Sequence, residues 1–234
     1  YKNASQDSLT DIDFSVKRGE TVGIIGGTGS GKSSLVNMIP RFYDASDGCI
    51  EIDGINIKDY SVEVLRKKIG IVMQKAVLFK GTVRENLLWG NESASDEDIF
   101  EALKTAQALE VVEGKKSGLD SEVAQGGKNF SGGQKQRLTI ARALVRKPEI
   151  LILDDSASAL DYATDASLRK AIRDMKDSPT VFIVSQRASS IKYADKIVVL
   201  DDGKIAGQGT HEQLLKSCNI YREIYETQFK KEEA

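Results

Sequence analysis

The chain has 234 residues, 40% of them hydrophobic and 29% charged, with a formal net charge of −2. That length suffices for one substantial domain with a packed core, and the near-neutral balance offers no global basic field for nucleic acid. No apolar run reaches the roughly 18–20 residues needed to span a bilayer, so any membrane role is expected to come through a partner domain.

The chain starts at Tyr1 with neither Met nor a signal peptide, and is expected to be a piece of a longer protein. Thr21-Val-Gly-Ile-Ile25 reads as a buried strand, followed by a glycine-rich turn and a helix from Lys32 to about Ile39. Cys49-Ile-Glu-Ile-Asp53, with Gly54 behind it, reads as a strand entering a turn, and Ile55–Ile57 as its return. Further strands are predicted at Ile69–Met73, Ile150–Leu153, Thr180–Val184 and Lys196–Leu200. Such near-continuous apolar runs favour a parallel sheet buried on both faces. Between Thr82 and Lys147 the pattern turns helical. Ser95 can cap a helix running from Asp96 to about Val112, with acids in its first turn. Ser131 and Gln134 have capping-box spacing, and their helix should run to Lys147, before Pro148. Thr210 and Gln213 have the same spacing, which makes the lone histidine, His211, a surface first-turn residue rather than a catalytic base. Cys49 and Cys218 lie far apart without metal-ligand spacing and read as free thiols of a reducing compartment. The Lys230–Ala234 run reads as a solvated end.

Gly26-Gly-Thr-Gly-Ser-Gly-Lys-Ser33 satisfies the phosphate-loop pattern G-x-x-x-x-G-K-[ST], with a strand before it and a helix after it. Gly26, Gly27, Gly29 and Gly31 let backbone N–H groups curl around phosphate oxygens, and Thr28, Ser30 and Ser34 belong to the same turn and helix start. The helix N-terminus adds its positive end. Lys32 can reach the β- and γ-phosphates of ATP, and Ser33 can ligate Mg²⁺. Ile150-Leu-Ile-Leu-Asp154 is an apolar strand ending in an acid, so Asp154 is a candidate to hold Mg²⁺ through water. Ser131, Gly132 and Gly133 at a helix start form an anion site without bulk, a role compatible with the capping box closed by Gln134.

Phe130-Ser-Gly-Gly-Gln134, followed by Lys135-Gln-Arg-Leu and Ala141-Arg-Ala-Leu144, resembles the signature of ABC transporter ATP-binding domains, with Phe in place of the usual Leu. The resemblance runs over essentially the whole chain. It implies a RecA-like P-loop α/β core with a small antiparallel β region and an inserted helical subdomain, divided as 1–81 and 148–234 for the core and 82–147 for the subdomain. It implies that Gln74 senses Mg²⁺ and the attacking water and touches the membrane domain. Ser158-Ala-Leu-Asp161 resembles the D-loop, and Tyr1 stands where the family stacks an aromatic on adenine. Glu122-Val-Ala-Gln-Gly-Gly127 resembles the loop with which exporters contact coupling helices, and Gly81–Asn86 and Pro40–Tyr43 are also similar to exporter segments. The implied partners are a transmembrane domain, reached through the Gln74 and Glu122 regions, and a second ATP-binding domain from a different subunit. In the head-to-tail pair of this family, the Ser131–Gln134 site faces the γ-phosphate bound by the other domain. The implied location is the cytoplasmic face of a cell membrane, with the domain itself soluble.

Two positions depart from the family, both at the hydrolytic centre. Asp155 stands where the family has the general-base glutamate, and Gln186 where it has the switch histidine. Aspartate is one methylene shorter, which withdraws the carboxylate by roughly 1 Å, and an error of that size can cost on the order of a hundredfold in rate. Glutamine can donate to a phosphate but cannot become cationic or carry protons as imidazole does. The two changes together predict a site that binds ATP and hydrolyses it poorly, as in heterodimeric exporters with one degenerate site. The alternatives are a soluble ABC ATPase of DNA repair or translation and a non-hydrolysing nucleotide-gated module. The repair type carries a long coiled-coil insertion between the phosphate loop and the signature, absent here, and the translation type carries two ABC domains in one chain.

Overall fold

The computed structural model describes residues 8–156 and 158–229. The candidate adenine-stacking residue Tyr1 and the terminal run Lys230–Ala234 lie outside them. In chain order the elements are β1 (Thr21–Gly26), α1 (Lys32–Met38), β2 (Glu51–Ile52), β3 (Ile55–Asn56), α2 (Val62–Lys67), β4 (Ile69–Val72), β5 (Gly81–Thr82), α3 (Val83–Leu88), α4 (Asp96–Thr105) and α5 (Leu109–Glu113). There follow β6 (Glu122–Val123), α6 (Gly132–Leu144), β7 (Ile150–Asp154), α7 (Tyr162–Arg173), β8 (Thr180–Val184), α8 (Ala188–Ile191), β9 (Lys196–Asp201), β10 (Lys204–Gly209), α9 (His211–Ser217) and α10 (Asn219–Phe229). They form two compact units, one from the described parts of 1–69 and 180–234, the other from 70–179.

In the first unit the strand order is β10-β9-β1-β8. β1 is parallel to β8, with Thr21 opposite Val181, and parallel to β9, with Gly23 opposite Ile197. Val22, Ile24, Ile25, Val198 and Val199 are fully buried, as expected of strands covered on both faces. A Cβ on Gly23 would lie 2.7 Å from the Cβ of Ile191, so α8 packs directly on β1. The predicted strand at Cys49–Asp53 shortens to the two-residue β2, which pairs antiparallel with β3. Its turn, Asp53-Gly54, has positive φ at both residues, 53° and 75°, the twist that a two-residue hairpin needs. The antiparallel edge strand β10 has no counterpart in the sequence reading. Its burial alternates between exposed and half-buried and it contains two glycines, so it shows no apolar run. The Asp202-Gly203 turn before it, with φ 43° and 75°, is the signal that was there to read.

In the second unit β7 lies beside β4, β5 pairs antiparallel with β6, and α3 to α7 complete it. α4 packs on α6, burying Ile99, Ala102 and Leu103 against a helix whose own buried face includes Leu138, Ala141 and Leu144. Two helix lengths need correction. The helix capped by Ser95 stops at Thr105 and resumes as α5, because Gln107 adopts a left-handed φ of 56°. The amide of Gln107 then donates to the Lys104 carbonyl at 3.1 Å, and that of Ala108 to Leu103 at 2.8 Å, a Schellman ending without its usual glycine. Arg137 of α6 stabilises it by donating to the Gln107 carbonyl and to Glu110 Oε1. α6 itself ends at Leu144 rather than Lys147, whose φ of 51° is also left-handed.

Candidate nucleotide site and family

β1 delivers the chain to the 27–31 turn and α1 receives it, so the motif glycines sit between two rigid elements. Gly31 is the N-cap of α1 with φ 95°, a conformation that glycine takes at no steric cost. A Cβ on Gly26 would come within 2.1 Å of the Leu200 carbonyl oxygen, whereas one on Gly27 would meet nothing within 4 Å. Gly26 is therefore required by packing against β9, and Gly27 borders open space. Lys32 is 8% exposed. Its ammonium donates to the Gly26 carbonyl at 2.9 Å and to the Gly27 carbonyl at 2.6 Å, with Ser30 Oγ at 3.4 Å. The lysine is thus pre-positioned over the turn. Thr28, Gly29 and Ser33 are exposed, Ser34 is half-buried, and Ser30 is buried, its carbonyl accepting from Gly203 N–H at 3.3 Å. Leu9 packs beside Gly31, where an added Cβ would lie 2.7 Å from its Cδ2. Gln186 follows β8 in the same unit with its side chain exposed.

The other candidates belong to the second unit. Asp154 ends β7 and is 4% exposed. Asp155 follows with a left-handed φ of 47°. Gln74, exposed just beyond β4, donates from Nε2 to Asp155 Oδ2 at 2.9 Å, so these two predicted residues do meet. The Asp155 carbonyl accepts from Ser158 Oγ at 2.8 Å. Asp161 caps α7, taking Thr164 N–H at 2.9 Å and Thr164 Oγ1 at 2.7 Å; these bonds, the backbone one foremost, hold its carboxyl below the usual range. Ser131 caps α6 in the expected box: its Oγ accepts from Gln134 N at 3.2 Å and its N–H donates to Gln134 Oε1 at 3.0 Å. Phe130, 5% exposed, anchors that start, with Lys115 Nζ 4.4 Å from its ring centroid. A Cβ on Gly132 would meet nothing within 4 Å, while one on Gly133 would lie 3.3 Å from the Ala159 carbonyl oxygen. The helix start is thus open at Gly132, as an anion site there would require, and closely approached at Gly133. Glu122 is exposed on β6, and its carbonyl accepts from Asn129 Nδ2 at 2.8 Å.

Three residues came to light only in the folded chain. Asn86 holds both the N–H and the carbonyl of Phe79 at 2.8 Å, and Arg142 donates to the Val77 carbonyl at 3.0 Å with Phe79 beside its guanidinium. Together they fix the segment that follows Gln74. Both lie in quoted motifs, but nothing in the spacing tells what they hold. Gln228, near the end of α10, contacts the backbone around Gln186. Amphipathic helix periodicity carries no signal for it.

A parallel-dominated α/β sheet, with a glycine-rich turn and a buried lysine between its strand and helix, defines a P-loop NTPase. The family model described as ABC transporter matches residues 9–158. The chain therefore belongs to the ABC transporter family, as an ATP-binding domain. It is 45% identical over 221 residues to the Bacillus subtilis ABC transporter ATP-binding protein YwjA, covering 94% of this chain and 38% of that protein. A Staphylococcus aureus protein named for multidrug export as an ATP-binding/permease protein is 44% identical over 228 residues, covering 97% of this chain and 39% of its own length. Among solved structures, a bacterial Atm1-family ABC exporter with ATP bound superposes with a TM-score of 0.92 at 37% identity, covering 97% of this chain and 40% of that one. The chain thus spans about two fifths of the relatives it matches. Binding of ATP with Mg²⁺, and its hydrolysis, are general to the family. Among the described residues no helix is long and apolar enough to cross a membrane.

Proposed function

We propose that this chain is the ATP-binding half of an exporter subunit, that it pairs head-to-tail with a second, different ATP-binding domain, and that its own site hydrolyses ATP poorly. Lys32, Ser33, Ser34 and the 26–31 turn take the phosphates, and Tyr1 takes the adenine. Ser33, Gln74 and Asp154 would hold Mg²⁺, which neutralises phosphate charge when bound. The open space over Gly27, with Lys32 already directed at the turn, fits a phosphate chain. Ser131 to Gln134, with Asp161, serve the partner's nucleotide, so this chain is a weak site for itself and a competent one for its neighbour. Helices α3 to α6 support assigning 82–147 as the signature subdomain within a core of 1–81 and 148–234. The Gln74 and Glu122 regions transmit to a transmembrane domain, which places the chain at the cytoplasmic face of a membrane.

The observation that carries the weak-site reading is the 2.9 Å bond from Gln74 to Asp155. The shortened carboxylate accepts from that amide while lacking the reach of a glutamate. A general base must come within about 2.6–3.2 Å of the proton it takes. Gln186, lacking a titrating ring, cannot stand in for a base or a cation. The test is steady-state ATP turnover with the candidate partner domain present. Asp155→Glu combined with Gln186→His should raise kcat on the order of a hundredfold with KM little changed, and each single change should do much less, since such groups act as a unit. Rapid turnover by the unaltered chain alone, indifferent to the double change, would overturn the weak-site reading.

A further inference from the structure

Gln186 leaves β8 on a short loop whose backbone bonds can be traced one by one. Ser185 N–H donates to the Ile24 carbonyl at 3.1 Å, and Arg187 N–H to Ser185 Oγ at 2.9 Å. Beside Gln186, its own carbonyl and the N–H of Ala188 find their partner outside the loop. Ala188 is fully buried and opens α8, whose N-cap residue, Arg187, makes no side-chain cap. A buried helix-start N–H needs a partner from elsewhere.

One side chain satisfies both groups. Gln228 Nε2 donates to the Gln186 carbonyl at 2.6 Å, and Gln228 Oε1 accepts from Ala188 N–H at 2.8 Å. The opposite amide orientation would set two donors and two acceptors against each other, so the partners determine which way it points. α10 is held along its length. Tyr221 is fully buried with its hydroxyl 2.8 Å from His211 Nδ1, the Tyr225 and Phe229 rings meet tilted with centroids 4.2 Å apart, and Lys192 Nζ sits 5.5 Å from the Phe229 ring centroid. The clamp therefore rests on an anchored helix, while the Gln186 side chain it serves is exposed. What directs that side chain is its backbone, and the backbone is held from α10.

We propose that Gln228 is a positioning residue for Gln186: its amide grips the chain on both sides of Cα187, from the carbonyl of Gln186 itself to the N–H of Ala188, and so sets the direction in which Gln186 meets the γ-phosphate. The proposal rests on the reading that Gln186 faces that phosphate. It makes the C-terminal helix, remote in sequence from every nucleotide motif, the element that governs ATP against ADP recognition.

The test measures ATP and ADP affinities by calorimetry for the unaltered chain, Gln186→Ala, Gln228→Ala, Gln228→Glu and the double Gln186→Ala/Gln228→Ala. ADP lacks the γ-phosphate and serves as the internal reference. Gln228→Glu keeps an acceptor for Ala188 N–H, hence the start of α8, but sets a carboxylate oxygen against the Gln186 carbonyl. Gln228→Ala and Gln228→Glu should each weaken ATP by about threefold to tenfold with ADP unchanged, less than the roughly tenfold or more that outright loss of a hydrogen bond to a charged group costs, because the bond is misdirected and not removed. The double variant should be no worse than Gln186→Ala. Amide exchange at Ala188, followed without nucleotide, should quicken in Gln228→Ala and not in Gln186→Ala. An altered ATP/ADP ratio in Gln186→Ala, with the unaltered ratio in both Gln228 variants, overturns the positioning role alone. Additive losses in the double variant overturn it as well. An unaltered ratio in Gln186→Ala overturns the γ-phosphate reading of Gln186 and the positioning role with it, whatever the exchange at Ala188.

Discussion

In the proposed phosphate turn, Lys32 and the glycines before it would divide the work between folding and binding. The Lys32 ammonium rests on two carbonyls of its own turn, so arriving phosphates exchange one set of oxygen partners for a charged one. Hydrogen bonds to charged groups contribute about 1.5–3 kcal/mol each. Lys32→Ala should therefore weaken ATP binding roughly tenfold to a hundredfold in calorimetry, and equal affinities would remove Lys32 from the site. The neighbouring glycines separate by what a methyl group would strike. Gly26→Ala drives a Cβ to 2.1 Å from the Leu200 carbonyl oxygen and should lower the melting temperature sharply. Gly27→Ala meets no protein atom within 4 Å and should melt like the unaltered chain while binding ATP less tightly. A Gly27→Ala chain that binds ATP normally would show that no phosphate lies over that position.

The ends of α4 show how an element can be defined jointly by local code and by a distant partner. Ser95 caps α4 as expected and closes a capping box with Asp98, and Lys147 Nζ adds an ion pair to Asp98 Oδ1 at 2.6 Å. The Lys147 bond first, then the backbone and hydroxyl of Ser95, hold the Asp98 carboxyl down at about 2, against 3.8 ordinarily. Because the folded-state value is depressed, the unfolded chain takes the proton first as acid is added. The contribution is complete above the ordinary carboxylate range and is lost as pH falls through about 2. Asp98 is half-buried but its partner Lys147 is exposed, so salt screens the pair and its effect is small. Asp98→Asn should lower the melting temperature slightly at neutral pH and low salt. The difference should narrow as pH falls from about 5 towards 2, and also when salt is raised. A difference independent of pH would trace the effect to the cap geometry rather than to charge. At the other end of α4, Gln107 takes the left-handed position that glycine usually fills, and Arg137 from α6 holds its carbonyl.

For the whole molecule, the anion site proposed at the start of α6 predicts association that depends on nucleotide. The chain should sediment as a monomer without ATP and pair when ATP and its partner domain are both present, because the ligand supplies contacts that the bare surfaces lack. Ser131→Arg places a long cation where the partner's γ-phosphate would lie. It should abolish turnover by the pair while leaving ATP affinity at the 26–33 turn unchanged. A stable pair without nucleotide, or full turnover with Ser131→Arg, would contradict the arrangement.

The strand–turn–helix around Lys32, the apolar strand ending at Asp154, the cap at Ser95 and the capping boxes at Ser131 and Thr210 were all legible in the sequence. Each is a contiguous stretch whose chemistry is completed within a few residues, and each appears in the fold at the expected place. The departures at Asp155 and Gln186 were legible for the same reason, as residue types within a local motif. The tertiary structure alone decided that α4 stops at Gln107, that β10 forms an edge beside β9, and that Asn86 and Arg142 fix the segment after Gln74. It alone brought Gln228 to the loop of Gln186, across 42 residues of chain. These features are hydrogen bonds between groups distant in sequence, with partners chosen by packing. Local periodicity records which face of an element is apolar, but not which polar atom on another element will meet it.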